Sequence, residues 1–314
     1  MKSVAIDLGG TLIKMALVEE NKILDSKTTP SLSQNNFAKN MERVSDHINT
    51  LLERNNLTPD QTGGIAIAMP GIVDVHKNRV LSINKKHEDA TLFDFNKWAA
   101  SNWEWPVVIE NDARAALVGE WQYGAGAGCD NIVMITLGTG VGGATLINGK
   151  LLHGKHYQAG CLGGHFIINY HGNECTCGNL GCVESEASSW KLPELIKGHE
   201  LHKESKWKNQ ENFDFENLFT RYRQNDELAI DVANHCMDAW AAGAINLIHA
   251  YDPEMVIIGG GVMKSHDLII PHIKQITQKY AWTPGFKVDI KKAELENSAA
   301  LIGLNYLLKE KIKN

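Results

Sequence analysis

The sequence lacks the features that would direct it to a membrane or to nucleic acid. None of its apolar runs approaches the roughly 20 residues that a membrane-spanning helix needs. Its formal net charge is −6 at pH 7, so it has no excess of lysine and arginine for a polyphosphate backbone or an anionic lipid surface. The opening segment places a carboxylate, Asp7, where a signal peptide would need its apolar region. We therefore predict a cytoplasmic protein with no nucleic-acid partner and no membrane partner.

Cysteine is also scarce, with six residues in 314, yet Cys175, Cys177 and Cys182 follow one another closely. Together with His165 upstream they supply the Cys₃His donor set of a tetrahedral zinc site. A closed set of four protein ligands leaves no open position for water, so we predict a structural metal rather than a catalytic one. A disulfide or free thiols are the alternatives, and His171 is a rival nitrogen ligand.

The length and the 43% of hydrophobic residues favour two domains, each with its own core. Short apolar runs predict strands at 4–7, 14–18, 64–68, 107–110, 131–136, 144–147 and 255–258. Apolar residues at helical spacing predict helices at 40–54, 113–123 and 229–251. The stretches 89–104 and 192–227 are less definite, and the second is highly charged, with a mobile helical segment as one option.

One pattern occurs twice in the chain. The run that begins at Ile6 with Ile-Asp-Leu-Gly-Gly-Thr resembles the run that begins at Ile135 with Ile-Thr-Leu-Gly-Thr-Gly, and each reads as strand, glycine turn, strand. Such turns expose backbone N–H groups and a threonine hydroxyl, which suit phosphate oxygens. Ordinary tight hairpins are the alternative for either turn alone. The pair predicts a duplicated architecture that binds one polyphosphate, and the chain has no Gly-Lys-Ser/Thr sequence of a Walker A loop.

Between the two turns lies Glu110-Asn111-Asp112, at the end of a predicted strand and the start of a predicted helix. Asn111 can fix a sugar hydroxyl, and Asp112 can accept the proton of a hydroxyl that attacks phosphorus. Either residue could also cap the helix, and the two interpretations are compatible. We expect Glu110 to be an ordinary charge at the end of the strand and Arg114 to point elsewhere.

With these motifs in their order along the chain, the sequence resembles the ROK family (repressors, open reading frames and sugar kinases). The resemblance rests on the two glycine turns, Pro70-Gly71, Glu110-Asn111-Asp112, the cysteine segment that ends in Cys182-Val-Glu184, and Gly259-Gly-Gly261. It implies an α/β fold of the actin/hexokinase-like (ribonuclease H-like) type, duplicated into two domains with the active site in the cleft between them. The implied domains are residues 1–117, with a C-terminal helix at about 298–314 packing back on them, and residues 118–297, which carry the zinc motif.

The resemblance also implies an ATP-dependent and Mg²⁺-dependent kinase for the 6-hydroxyl of a hexose. In this family Asp112 would be the catalytic base, and the sugar contacts would be Gly71, Asn111, Asp112, His165 and Glu184. Asp7 would lie near magnesium and the phosphates. The implied nucleotide and phosphate contacts are Gly9, Gly10, Thr11, Gly138, Thr139, Gly140, Gly260 and Gly261. The implied ligands of structural zinc are His165, Cys175, Cys177 and Cys182, and a homodimer is expected because relatives are often oligomers.

One departure from the family pattern leaves the sugar open. Relatives carry Glu-x-Gly-His at the zinc histidine, whereas here Cys161 or Leu162 stands where that glutamate would be. Losing a hydroxyl acceptor can change substrate preference by several kcal/mol. Glucose is therefore a default, with allose, N-acetylmannosamine, N-acetylglucosamine or a β-glucoside as alternatives.

Two other classes of function are alternatives to a kinase. A sugar-responsive repressor would need a DNA-binding module before the first glycine turn, and because that turn begins at Asp7 we expect none. A non-catalytic sugar sensor is favoured by the missing glutamate and disfavoured by Asp112.

Overall fold

The computed structural model describes residues 1–32, 36–83 and 87–313. These residues form twelve strands, which are β1 (Lys2–Leu8), β2 (Leu12–Glu19), β3 (Lys22–Pro30), β4 (Ile65–Met69), β5 (Ile72–Asp74), β6 (Arg79–Ser82), β7 (Val107–Asn111), β8 (Ile132–Leu137), β9 (Val141–Ile147), β10 (Lys150–Leu151), β11 (Met255–Gly259) and β12 (Asp289–Lys292). They also form nine α-helices, which are α1 (Phe37–Arg54), α2 (Phe95–Trp103), α3 (Asp112–Tyr123), α4 (Val183–Ala187), α5 (Leu192–Gly198), α6 (Phe215–Arg223), α7 (Glu227–Tyr251), α8 (His266–Tyr280) and α9 (Ala299–Lys313). The predicted strands and helices are confirmed to within a few residues at their ends.

The chain divides into two compact units. Unit 1 comprises residues 1–128, 153–159 and 294–314, and unit 2 comprises residues 129–152 and 160–293. A boundary after residue 117 would fall inside α3, whereas the contacts place the change of unit after Gly128. The reason is that α3 packs closely on α9 along its length. A Cβ at Gly119 or at Gly303 would collide with a backbone carbonyl of the other helix.

Unit 1 is built on a five-stranded sheet in the order β3-β2-β1-β4-β7. The first three strands are antiparallel neighbours, and β4 and β7 run parallel to β1. Side chains alternate between the two faces of a strand, so Val4 and Ile6 join the core that contains α1, whereas Ala5 and its small neighbours face α9. Small alanines on that face let the helix lie close to the sheet.

Unit 2 repeats this arrangement with a five-stranded sheet in the order β10-β9-β8-β11-β12. Here β8 and β9 form the antiparallel hairpin, and β11 and β12 run parallel to β8. The core of unit 2 contains the long helix α7 and two fully buried tryptophans, Trp207 and Trp240. Trp207 lies in the charged stretch 192–227, which the structure resolves into α5, α6 and short 3₁₀ turns.

None of the helices within the described ranges combines the length and the apolar character that crossing a membrane requires.

Candidate active site

The parallel strands of unit 1 bring three of the predicted site residues to one edge of the sheet. Asp7 of β1 pairs with Ala68 of β4, and Met69 at the end of β4 pairs with Asn111 at the end of β7. The carboxyl ends of β1, β4 and β7 therefore meet at the same edge, where open α/β sheets bind their ligands. Gly71 follows β4, and Asn111 donates a hydrogen bond from Nδ2 to the Gly71 carbonyl at 3.0 Å.

Asn111 also caps helix α3, as the capping alternative required. Its Oδ1 accepts the backbone N–H of Arg114 at 3.1 Å, while Asp112, the first helical residue, accepts the N–H of Ala113 at 2.8 Å. Both side chains are thereby held in one orientation. The Asp112 carboxylate also accepts a hydrogen bond from the Asn111 side chain, and each carboxylate oxygen can accept more than one.

The surroundings of Asp112 change its acidity. Burial, and secondly the nearby negative charge of Asp7, raise the pKa of Asp112 to about 6. Burial also raises the pKa of Asp7, although the ammonium group of Lys14, 3.6 Å from its carboxylate, acts in the opposite direction. A carboxylate with a pKa near 6 is still ionised at neutral pH and is a stronger base than an exposed aspartate.

The expectation that Glu110 is an ordinary strand-end charge is wrong. Its side chain is buried, with Oε1 accepting the backbone N–H of Asn111 at 2.8 Å and Oε2 lying 2.8 Å from Nε2 of His153. The guanidinium of Arg114 lies 3.6 Å from the same carboxylate. Arg114 is fully buried, and its Nη2 donates to the carbonyls of Tyr157 at 3.1 Å and Ala159 at 2.6 Å.

The first glycine turn of unit 1 joins β1 to β2. Gly9 is tightly placed, because a Cβ there would lie 2.8 Å from the carbonyl oxygen of Leu12. Thr11 is exposed, and its carbonyl accepts the N–H of Ser31 at 2.8 Å. The turn, with Gly10 between these two residues, thus follows directly on Asp7 and β1.

The second glycine turn, Gly138 to Gly140, joins β8 to β9 in unit 2. No atom would lie within 4 Å of a Cβ at Gly138, so the space beside this residue is open. The N–H groups of Ser189 and Trp190 bond the carbonyls of Gly138 and Thr139, each at 3.2 Å. The Gly140 carbonyl accepts the N–H of Gly138 at 3.0 Å, so all three carbonyls of the turn are hydrogen-bonded.

A cavity of about 380 Å³ opens beside this turn within unit 2. Its lining residues are Gly138, Thr139, Ser189, Asp214, Phe215, Glu216, Gly261, Val262, Lys264 and Ser265. The predicted residues Gly138, Thr139 and Gly261 thus share one cavity. Gly260 has a φ of 98°, and a Cβ there would collide with the backbone of Leu137. Sequence reasoning missed the contribution of the segment around Phe215, because the charged stretch that contains it carries no motif.

The four predicted metal ligands converge in unit 2. Their ligand atoms all lie within 4.8 Å of one another, with Cys177 Sγ 3.7 Å from Cys182 Sγ and Cys175 Sγ 3.5 Å from His165 Nδ1. In a tetrahedral site with Zn–S bonds of about 2.3 Å, sulfur atoms lie about 3.8 Å apart. The spacing and the donor set therefore fit zinc. His171 is not in this cluster, and none of the six cysteines forms a disulfide.

Glu184 lies just after the last of these cysteines, and its carboxylate connects two functional segments. One oxygen accepts the N–H of Val141, which follows the second glycine turn, at 2.9 Å. The other oxygen accepts the hydroxyl of Thr176, which lies between two ligand cysteines, at 3.3 Å. Gly140 packs so closely against Glu184 that a Cβ there would collide with the carboxylate.

The segment that lacks the family glutamate leads into a 3₁₀ turn, Gly163–His165. Cys161 is half-buried and Leu162 is 37% exposed, and neither side chain offers a carboxylate. The turn is pressed against β9, since a Cβ at Gly164 would collide with the Val141 carbonyl. The glycines therefore permit close packing of the segment that carries His165.

Several known glucokinases resemble this chain over nearly its whole length. The chain is 32% identical to the glucokinase of Halalkalibacterium halodurans, covering 98% of this chain and 94% of that protein. It is 30% identical to the glucokinase of Thermotoga maritima, covering 99% and 98%. Among solved structures, a ROK family glucokinase from Streptomyces griseus in complex with glucose and AMPPNP superposes with a TM-score of 0.80 at 26% identity, covering 99% of this chain and all of that one.

These likenesses extend over both units, and they confirm the predicted duplicated α/β fold of the actin/hexokinase type. The model of the ROK family matches residues 3–311. The chain therefore belongs to the ROK family.

Proposed function

We propose that this chain transfers the γ-phosphoryl group of ATP to the primary hydroxyl of a hexose. The prediction that it is an enzyme of the sugar-kinase class is confirmed by its glucokinase relatives. The observation that carries the mechanism is Asp112, a carboxylate with a pKa raised to about 6 at the carboxyl edge of the unit 1 sheet, beside the amide of Asn111.

In the proposed reaction the side-chain amide of Asn111 binds a ring hydroxyl, and Asp112 accepts the proton of the primary hydroxyl. The hydroxyl oxygen forms a bond to the γ-phosphorus, the bond from that phosphorus to the bridging oxygen breaks, and ADP leaves. Phosphoryl transfer depends mainly on positioning and on charge neutralisation, so a base in line with the phosphorus and a closely fitting phosphate loop are the main requirements.

The phosphate contacts are assigned to the two glycine turns. In unit 2 the space beside Gly138 is open to phosphate oxygens, and the adjacent cavity is of a size that accepts the nucleoside. The carboxylate of Asp7 is a hard oxygen donor of the kind magnesium prefers, and magnesium when bound would neutralise phosphate charge.

The cluster of His165 and the three cysteines would hold a structural zinc ion. It would take no part in the phosphoryl-transfer step. Its role is to fix the loop between Cys175 and Cys182, and with it Glu184 and His165, which we assign to sugar hydroxyls.

A preference for a sugar other than glucose follows from what the segment before His165 lacks. Cys161 and Leu162 cannot accept two hydroxyl hydrogens as a carboxylate can, so glucose should bind more weakly than in a kinase that has the glutamate. An uncharged side chain at this position also tolerates a substituent on the sugar, or an inverted stereocentre, better than a carboxylate does. We expect a high KM for glucose and a better kcat/KM for an epimeric or substituted hexose, such as allose, an N-acetylhexosamine or a β-glucoside.

The test is ADP release with a panel of glucose, mannose, fructose, allose, N-acetylglucosamine, N-acetylmannosamine and a β-glucoside. Phosphorus NMR of the product then identifies the phosphorylated oxygen. Turnover of any panel sugar at its 6-hydroxyl supports the kinase. Binding without turnover would identify a non-catalytic sensor, and a sub-millimolar KM for glucose with no better sugar would contradict the reasoning about Cys161 and Leu162.

We also propose that the chain acts as a homodimer. Light scattering over a range of protein concentrations measures its mass in solution, and a monomer at micromolar concentration would contradict this.

A further inference from the structure

The short segment His153–Ala159 belongs to unit 1, although the chain on both sides of it belongs to unit 2. Its ends are joined by a hydrogen bond from the N–H of Ala159 to the carbonyl of His153 at 3.1 Å. Within it, Tyr157 has a φ of 59°, a left-handed conformation that is costly for a residue with a bulky side chain. Strained residues persist only where their surroundings hold them, and they concentrate at functional sites.

The first anchor of this segment comes from the turn that carries Asp112. Buried Arg114 donates to the carbonyls of Tyr157 and Ala159, and buried Glu110 lies 2.8 Å from the His153 ring nitrogen. The ion pair between Glu110 and Arg114 keeps both buried charges compensated. Glu110 and Arg114 flank the two residues that we assign to the sugar, so the segment is fastened to the same turn.

The second anchor comes from the chain that follows Gly71. The phenol of Tyr157 donates a hydrogen bond to the carboxylate of Asp74, and this contact raises the pKa of Tyr157. Asp74 is buried at the end of β5, and it also accepts the N–H groups of His76 and Lys77, each at 3.0 Å. Its position is therefore fixed independently of the tyrosine.

These contacts form a closed circuit within unit 1. Asn111 donates a hydrogen bond to the carbonyl of Gly71, and β5 runs from there to Asp74. The carboxylate of Asp74 accepts the hydroxyl of Tyr157. The carbonyl of Tyr157 in turn accepts a hydrogen bond from Arg114, which lies in the same helix turn as Asn111. The half-buried ring of Tyr157 is thus held by both of the segments that carry our assigned sugar contacts. It meets the ring of His76 edge-on, with 6.1 Å between the ring centroids.

We propose that Tyr157 is a specificity-determining residue of the sugar site and is held in place by Glu110 and Arg114. This inference rests on the proposed kinase function. An aromatic ring discriminates by shape and by apolar contact, whereas a carboxylate discriminates by the hydroxyls it accepts. The ligand class that fits such a ring is a hexose carrying a substituent, either an N-acyl group or an aglycone.

The direct test compares Tyr157→Ala and Tyr157→Phe with the wild type across the sugar panel. For Tyr157→Ala we expect the ratio of kcat/KM for the best substituted sugar to that for glucose to fall about tenfold, the effect of losing one good apolar contact. KM for ATP should change less than about twofold, as expected for a residue that contacts only the sugar. Tyr157→Phe keeps the ring and loses only the bond to Asp74, so it should raise the KM for sugar and preserve the ranking. Tyr280→Ala, which removes an exposed tyrosine from the end of α8, is the matched control and should change neither quantity.

The role of Glu110 and Arg114 in positioning Tyr157 is tested with Glu110→Gln. This variant keeps an acceptor for the Asn111 N–H but removes the negative charge. Because this leaves Arg114 buried without its carboxylate, the double variant Glu110→Gln with Arg114→Met is measured beside it. A purely structural role would lower kcat/KM for all sugars by the same factor. A positioning role changes the ratio between substituted and plain sugars, in the direction seen for Tyr157→Ala.

The outcomes separate this inference from the proposed function. Folded Tyr157→Ala with an unchanged ranking of sugars, in an active enzyme, would overturn the inference alone. If the wild type turns over no panel sugar, the proposed function fails, and dissociation constants of the same sugars then measure the ranking. An unchanged ranking of those constants would overturn the inference as well.

Discussion

The two units have the same strand order but different chemistry at corresponding places. In each, an antiparallel hairpin with a glycine turn is followed by two parallel strands. In unit 1 those strands lead to Gly71 and to Asn111-Asp112, and the hairpin carries Asp7. In unit 2 the hairpin turn carries two glycines and the hydroxyl of Thr139, and strand β11 leads to Gly259-Gly260-Gly261.

The shared backbone arrangement places turns at corresponding positions in the two units, but the side chains at those turns differ. In unit 1, burial and secondly the nearby carboxylate of Asp7 raise the pKa of Asp112, which is unfavourable for binding phosphate but useful for accepting a proton. Unit 2 presents an open glycine turn and a metal cluster. Substitutions in each unit test this division of roles.

The largest effect is expected for the base in unit 1. Asp112→Asn should lower kcat by about 10²–10⁴-fold, the usual contribution of a general base, while sugar binding is kept. The measurement is ADP release at saturating sugar, with the dissociation constant of the sugar from calorimetry as control. A variant that kept more than about a tenth of the wild-type kcat would show that Asp112 is not the base.

The next effect concerns the metal cluster of unit 2. Protein purified without added metal should contain close to one zinc per chain, and Cys177→Ser should lose the metal, stability and about 100-fold in activity. Because Thr176 bonds Glu184, we expect KM for sugar to rise before KM for ATP. Elemental analysis well below half an equivalent of zinc in the wild type would contradict this.

A smaller effect is expected at the glycine turn of unit 2. A methyl group at Gly138 meets no protein atom within 4 Å, so Gly138→Ala should leave the melting temperature unchanged. It would crowd a bound phosphate, and losing one charged hydrogen bond of about 1.5–3 kcal/mol raises KM for ATP by about 10–100-fold. Gly198→Ala, at an equally open glycine at the end of α5, is the control. Equal KM values for ATP in the two variants would show that this turn does not bind phosphate.

The smallest effect is a shift in pH dependence. The base must be ionised, so kcat/KM should fall as pH drops below about 6, the pKa of Asp112. Asp7→Asn removes the second cause of the raised pKa, so the acid limb of the remaining activity should move to lower pH. An unmoved limb would mean that another group titrates.

The same raised pKa makes a prediction for stability. A carboxyl whose folded pKa exceeds its unfolded value stabilises the fold most below the unfolded pKa of about 4, and this contribution is lost as pH rises through about 6. Urea unfolding of Asp112→Asn should show less of this pH dependence than the wild type.

Sequence patterns predicted the parts of the fold that depend on local regularity. The glycine turns are recognisable from their composition. The strands β1, β4, β7, β8 and β11 are recognisable as apolar runs because nearly all of their side chains are buried on both faces of the sheet. The edge strand β3 was missed, since its residues Lys22–Pro30 alternate only between exposed and half-buried positions and look like a polar loop.

The remaining errors concern contacts between residues far apart in the chain. The burial of Glu110 depends on His153, 43 residues later, and no local pattern reveals that partner. The anchoring of Tyr157 by Asp74 and the cavity beside Phe215 depend on tertiary placement in the same way. Local sequence therefore located the reacting groups, and only the three-dimensional structure identified the residues that hold them.

The close packing of α9 on α3 has a consequence for how the protein is made. Unit 2 is almost continuous in sequence, whereas unit 1 needs residues 294–314, which the ribosome adds after the whole of unit 2. The buried carboxylate of Glu120 at the end of α3 accepts the N–H groups of Glu294 and Leu295, and until those residues emerge it has no such partners. Unit 2 can therefore fold during translation, while the unit that carries the base must wait for the final helix, so newly made chains should acquire the metal cluster before they acquire activity.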